Sequence, residues 1–77
     1  MLEPLRNTGQ LTNREIEILK LLALGWNNKQ IADKLCITIR TVKFHTTNIY
    51  EKIEVNSRPA AVAWAWQNGD FLNSAEF

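Results

Sequence analysis

Only Cys36, Ile37 and Thr38 separate two stretches of helical periodicity, and so short a link leaves the chain few ways to fold. Upstream, Asn27 is followed three residues later by Gln30. This is the pattern of a capping box, in which two side chains satisfy backbone N–H groups that a first turn leaves unpaired. It opens a short helix predicted over 28–35, with Ile31, Ala32 and Leu35 as a narrow apolar stripe. Downstream, Thr38 has the short hydroxyl side chain favoured at an N-cap, and a helix is predicted over 39–53. Three residues are too few for a crossover connection, so the two helices must meet at an angle as a helix-turn-helix.

The same signals place two more helices. Thr12 with Glu15 forms another capping box for a helix over 13–24, in which Ile18, Leu19 and Leu22 share a face with Glu15 and Gly25 supplies the terminating left-handed residue. Ser57 caps a last helix over 58–68, where Pro59 is tolerated in the first turn and Gly69 marks the stop. The fold class is therefore all-α with four helices. Residues 1–10, containing Pro4 and Gly9, read as a leader or linker; 11–69 form the domain; 70–77 form a C-terminal tail. A chain of 77 residues supports one hydrophobic core and not two.

Composition narrows the function. No apolar run approaches the length of a membrane span, and Met1-Leu2-Glu3-Pro4 lacks the basic-then-apolar pattern of a secretory signal, which points to the cytoplasm. Cys36 is the single cysteine, so no intramolecular disulfide forms, and its setting between Leu35 and Ile37 predicts a buried small hydrophobe. His45 is the single histidine, with no second ligand at metal-binding spacing. Paired carboxylates, a nucleophile with its base and a glycine-rich phosphate loop are all missing from the pattern, so neither an enzyme nor a cofactor is expected. The formal net charge is only +1, but it is unevenly spread. Lys29, Lys34, Arg40, Lys43 and Lys52 oppose only Asp33 and Glu51 between residues 28 and 52, while the first third is neutral and the last third acidic. The middle third is the basic one, as a polyanion-binding surface requires.

At about 100° per residue, the third helix divides into three strips. Val42, Thr46, Ile49 and Ile53 return to within about 40° of one another and form the core face. Arg40, Lys43, Phe44, Thr47 and Glu51 share the opposite face. Thr41, His45, Asn48 and Lys52 lie between, with a hydrogen-bonding group at every position. A charged face alone is most simply a solvated surface. Phe44 among cations argues for more, since an aromatic ring facing solvent is useful to a helix that enters a groove and meets a thymine methyl or a sugar.

In this setting the segment from Leu11 to Ala65 resembles the LuxR/GerE-type helix-turn-helix domain, the output module also found in NarL/FixJ response regulators. The matching stretches are Leu11-Thr12-Asn13-Arg14-Glu15, Gly25 with Asn28-Lys29-Gln30-Ile31-Ala32, Thr41-Val42-Lys43-Phe44-His45 with Asn48-Ile49 and Lys52-Ile53, and Asn56-Ser57-Arg58 with Ala61-Val62. The resemblance implies a transcriptional regulator that binds double-stranded DNA through its third helix and dimerises through its fourth. Carried over by position, Lys43, Phe44 and Thr47 would read bases. Asn28, Lys29, Thr41, His45, Asn48, Lys52 and Arg58, joined by Arg40 from the exposed face, would contact the phosphate backbone or support those contacts. Glu15 is implied to serve as a cap and as a partner for the second half of the domain. Thr47 stands where relatives often carry a longer polar or basic side chain, and Pro59-Ala60 replace polar residues.

Trp64 and Trp66, two apart on a helix, cannot both face one core. With Ala61, Val62 and Ala65 inward, the expected outward strip is Ala60, Ala63, Trp64 and Gln67, a candidate dimer interface; packing under Phe71 or Phe77 is the alternative. Trp26 is expected to cover a helix junction. RNA polymerase is a further conceivable partner. The rival reading is a protein-interaction adaptor that keeps the fold but has lost DNA binding, docking through Phe44 and Trp64.

Overall fold

The computed structural model describes residues 11–68. Within them lie four helices, α1 (Asn13–Ala23), α2 (Asn28–Leu35), α3 (Ile39–Ile53) and α4 (Arg58–Gln67). The expected bounds hold for α2 and α3, and α1 and α4 each end one residue earlier than expected, at Ala23 and Gln67. Gly69, the proposed leader and the proposed tail, including Phe71 and Phe77, lie outside the described residues.

Every helix starts where its cap was expected. Thr12 and Asn27 form reciprocal capping boxes with Glu15 and Gln30. Thr38 accepts from the Thr41 amide at 3.0 Å, and Ser57 from the Ala60 amide at 3.2 Å. The first three helices also end alike. After α1, the Trp26 amide bonds the Leu21 carbonyl at 3.1 Å; after α2, Ile37 bonds Ala32 at 3.0 Å; after α3, Val55 bonds Tyr50 at 2.9 Å. Each is the six-residue closure of a Schellman turn, which satisfies carbonyls the last helical turn leaves exposed. The residue each turn needs in the left-handed region is Gly25 (φ 92°), Cys36 (φ 59°) and Glu54 (φ 62°) respectively. Only the first is a glycine.

Those turns also anchor the core. Trp26, Ile37 and Val55, the residues whose amides close the turns, are half-buried against it. The centre is built from Ile18, Leu19, Leu21 and Leu22 of α1, Ile31 of α2, Val42 and Ile49 of α3, and Ala61 and Ala65 of α4, all almost fully buried. Helix α1 packs against both α3 and α4, and α2 packs against α3. This double contact explains why Leu21 is buried as deeply as the expected Ile18, Leu19 and Leu22.

Two expectations are corrected. Cys36 is exposed, because the left-handed turn swings its thiol out of the apolar run while Leu35 and Ile37 pack inward. On α4, Trp64 does not join an outward strip: it lies half-buried against the core, and Ala60 is half-buried too, leaving Ala63 and Gln67 exposed. Trp64 sits about 80° from the middle of the Ala61/Ala65 stripe, and its long indole reaches back across that gap. Trp66 is the exposed tryptophan, at 58%. Its Nε1 donates to the Ala23 carbonyl at 3.2 Å, tying the end of α4 to the end of α1.

Candidate nucleic-acid interface

The three strips of α3 keep their separate environments in the fold. Val42, Thr46, Ile49 and Ile53 are buried, which fixes the helix axially and rotationally on α1 and α2. Arg40, Lys43, Phe44, Thr47 and Glu51 are exposed, and Thr41, His45, Asn48 and Lys52 occupy the half-buried margins. A shallow surface concavity is lined by Arg40, Thr41, Lys43, Phe44, Thr47 and Asn48. All three expected base readers therefore fall on one patch with three of the expected phosphate contacts.

Phe44 is 62% exposed, and its ring meets His45 edge-on, with centroids 5.7 Å apart at 61°. Such T-shaped contacts are favoured by the ring quadrupoles. Lys43 and Arg40 flank it without an ion pair among the described residues. The two threonines that follow differ in burial but not in bonding. Thr46, buried, and Thr47, exposed, both donate their hydroxyls to the Lys43 carbonyl, at 2.9 and 3.0 Å. The Thr47 hydroxyl is thus turned back along its own helix.

His45 lies beside Phe44, while Asn28, Lys29, Lys52 and Arg58 are placed elsewhere and already have partners. Lys52 Nζ lies 2.8 Å from Oε1 of Glu15, whose side chain is only 5% exposed. The same oxygen accepts from the Thr12 amide at 2.9 Å. Burial tends to raise the Glu15 pKa, but hydrogen bonds from Lys52 and from Thr12, with the charge of Lys52, outweigh it and hold the carboxyl below its usual value of 4.5. Lys52 therefore stabilises the domain from within. Glu15 acts as the cap and cross-domain partner that the resemblance implied.

Asn28 and Arg58 form a second internal bracket. Arg58 Nη1 donates to Asn28 Oδ1 at 3.3 Å, and Nη2 donates to the Trp26 carbonyl. The planar guanidinium thus joins the start of α4 to the turn that precedes α2. Trp26 covers that junction as expected, half-buried, with Lys34 Nζ 5.9 Å from its ring centroid. Lys29 is exposed and pairs with Asp33 at 3.2 Å. What sequence reasoning missed was the Trp26 carbonyl, because backbone acceptors carry no residue signature. Among the described residues no cluster of His, Cys, Asp or Glu is arranged to hold a metal, and no helix is long and apolar enough to cross a membrane.

The sequence that builds this face is similar to those of known proteins. The family model described as "Bacterial regulatory proteins, luxR family" matches residues 9–65. The transcriptional regulatory protein LiaR of Bacillus subtilis is 45% identical over 75 residues, covering 88% of this chain and 36% of LiaR. The response regulator protein VraR of Staphylococcus aureus is 52% identical over 58 residues, covering 75% of this chain and 28% of VraR. The chain thus spans roughly a third of the length of these relatives. With the family model covering most of its length, the chain belongs to the luxR family of bacterial regulatory proteins.

Proposed function

We propose that this domain binds double-stranded DNA sequence-specifically, as the DNA-binding part of a transcriptional regulator in the bacterial cytoplasm. The observation that carries the reading is the exposed face of α3, where Phe44 stands between Arg40 and Lys43, cations with no ion pair among the described residues, on a helix otherwise locked into the core. Family membership and the names of LiaR and VraR support it. Helix α3 lies in the major groove, Lys43 donates to guanine O6 or N7, and Phe44 makes apolar contact with a neighbouring base. Arg40, Thr41, His45 and Asn48 reach phosphates and fix the register. The domain acts by binding and not by catalysis.

Binding by a single domain is weak, because the middle third contributes a net charge of only about three and each phosphate neutralised adds one increment of counterion release. Two copies pair through α4, where Ala63, Trp66 and Gln67 are exposed and Ala60 and Trp64 line the margin. Such a dimer places two half-sites about 34 Å apart. Fluorescence anisotropy with a random-sequence duplex at two salt concentrations tests the reading. DNA binding gives a steep negative slope of log affinity against log salt. A slope of zero, or no binding at low salt, refutes it and leaves the adaptor reading.

A further inference from the structure

We propose that the Phe44 ring and the Thr47 methyl together form a receptor for the C5-methyl group of a pyrimidine, beside the base pair that Lys43 reads. The proposal rests on the DNA-binding reading above and specifies what part of that face recognises.

Three observations carry it. Thr47 is exposed on the groove face, but its hydroxyl donates to the Lys43 carbonyl at 3.0 Å. That bond commits the hydroxyl proton and turns the oxygen toward the backbone, so the group Thr47 presents outward is its methyl. Phe44 lies three residues earlier, which brings the two side chains together on one helix face. Both line the same concavity, along with Lys43 and Arg40. Finally, the ring meets His45 edge-on at 5.7 Å, a contact that favours this orientation of the apolar surface.

The base edges leave one kind of complement. The C5-methyl of thymine is the one apolar group larger than hydrogen that an unmodified base pair presents in the major groove; cytosine carries only a hydrogen at that position. Methylation of cytosine at C5 puts the same group in the same place. A patch with an aromatic ring and a methyl, and no free donor between them, fits that methyl and gains nothing from a bare cytosine. Lys43, one residue from Phe44, is bound to place the methyl near its own guanine contact.

The experiment starts from the tightest duplexes recovered by selection from a random pool. Each thymine of the half-site is replaced in turn by deoxyuridine, which removes only the methyl. One position should lose affinity by about fourfold, the transfer free energy of a single buried methyl group. At that position cytosine and 5-methylcytosine are then compared. A gain with 5-methylcytosine means that the methyl is read whichever base carries it, and no gain assigns the receptor to thymine. The deoxyuridine penalty should vanish in F44A and in T47S, and persist in T47V, which keeps the methyl and loses the hydroxyl. Salt-dependent binding with no position sensitive to deoxyuridine, or a penalty that survives in F44A and T47S, overturns this proposal alone. Failure to bind any duplex overturns the DNA-binding reading with it.

Discussion

Lys52 and Glu15, 37 positions apart, meet at 2.8 Å and join the end of α3 to the first turn of α1. The Glu15 side chain sits almost out of solvent, while the Lys52 side chain keeps about a third of its exposure. Removing either partner leaves the other charge poorly solvated, which costs more than breaking a pair on an open surface. The pair is better understood as part of the domain's framework than as part of its DNA contact.

Acid should reveal this pair. The Glu15 carboxyl is held below 4.5 in the folded domain, so around that pH the unfolded chain binds more protons than the folded one. The resulting stabilisation is complete above that value and is lost as pH falls through the folded value. Thermal unfolding of the wild type should show Tm dropping as pH falls below 4.5. E15Q should start about 1 to 2 kcal/mol less stable at neutral pH and lose less on acidification. An identical pH profile in the two proteins would show that the pair contributes nothing.

The cations of the middle third should separate into two classes. K43A should cost about 1 to 3 kcal/mol on the selected duplex and relax one base position, and R40A should weaken all duplexes alike and lower the magnitude of the salt slope by about one. K52M should instead lower Tm by roughly 10 °C, the effect of about 2 kcal/mol on a domain of this size, with little change in salt slope. Anisotropy titrations at several salt concentrations, beside thermal melts, distinguish these outcomes.

Arg58 should resist conservative replacement. Its two nitrogens reach two acceptors at once, Asn28 Oδ1 and the Trp26 carbonyl. A lysine offers a single charged point where a planar fork is needed. R58A and R58K should both destabilise by about 1 to 2 kcal/mol, measured by urea denaturation. Full rescue by lysine would mean that charge alone matters there.

The left-handed residues offer a test with the opposite sign. Cys36 and Glu54 hold φ values of 59° and 62° that side chains with a Cβ adopt at a cost. C36G and E54G should each stabilise the domain, by up to about 1 kcal/mol, because glycine enters that region without strain and both sites are exposed. Urea midpoints check this, and a loss of stability in both would show that the entropy added to the unfolded chain outweighs the relief.

Much of this fold can be read from short-range chemistry. Four caps, each declared by a Ser, Thr or Asn within three residues of the amide it serves, place four helix starts, and the α3 strips follow from helical period alone. The ends of α2 and α3 are harder, because a cysteine and a glutamate fill positions where glycine would have announced the turn. Burial of Cys36 was misjudged for that reason: apolar neighbours suggest an interior, but one left-handed residue reverses the direction of the side chain. Trp64 was misplaced because helical angle specifies where a side chain leaves the helix and says little about how far an indole can bend back. On the exposed face of α3, the placement of Lys43, Phe44 and Thr47 side by side was legible from helical period. The internal commitments of Lys52, Asn28 and Arg58 were less so, since they depend on contacts across 30 or more positions.

The three Schellman turns have a consequence for how this domain meets a ligand. Connections of four, three and four residues, each closed by a backbone bond and plugged by Trp26, Ile37 or Val55, leave the helices no slack. The surface that α3 presents is therefore preorganised: its shape exists before any encounter, and association need not order a loop or swing a helix. What entropy is lost on docking falls on exposed side chains such as Arg40 and Lys43, so affinity should respond to changes at those tips far more than to changes in the turns that hold them.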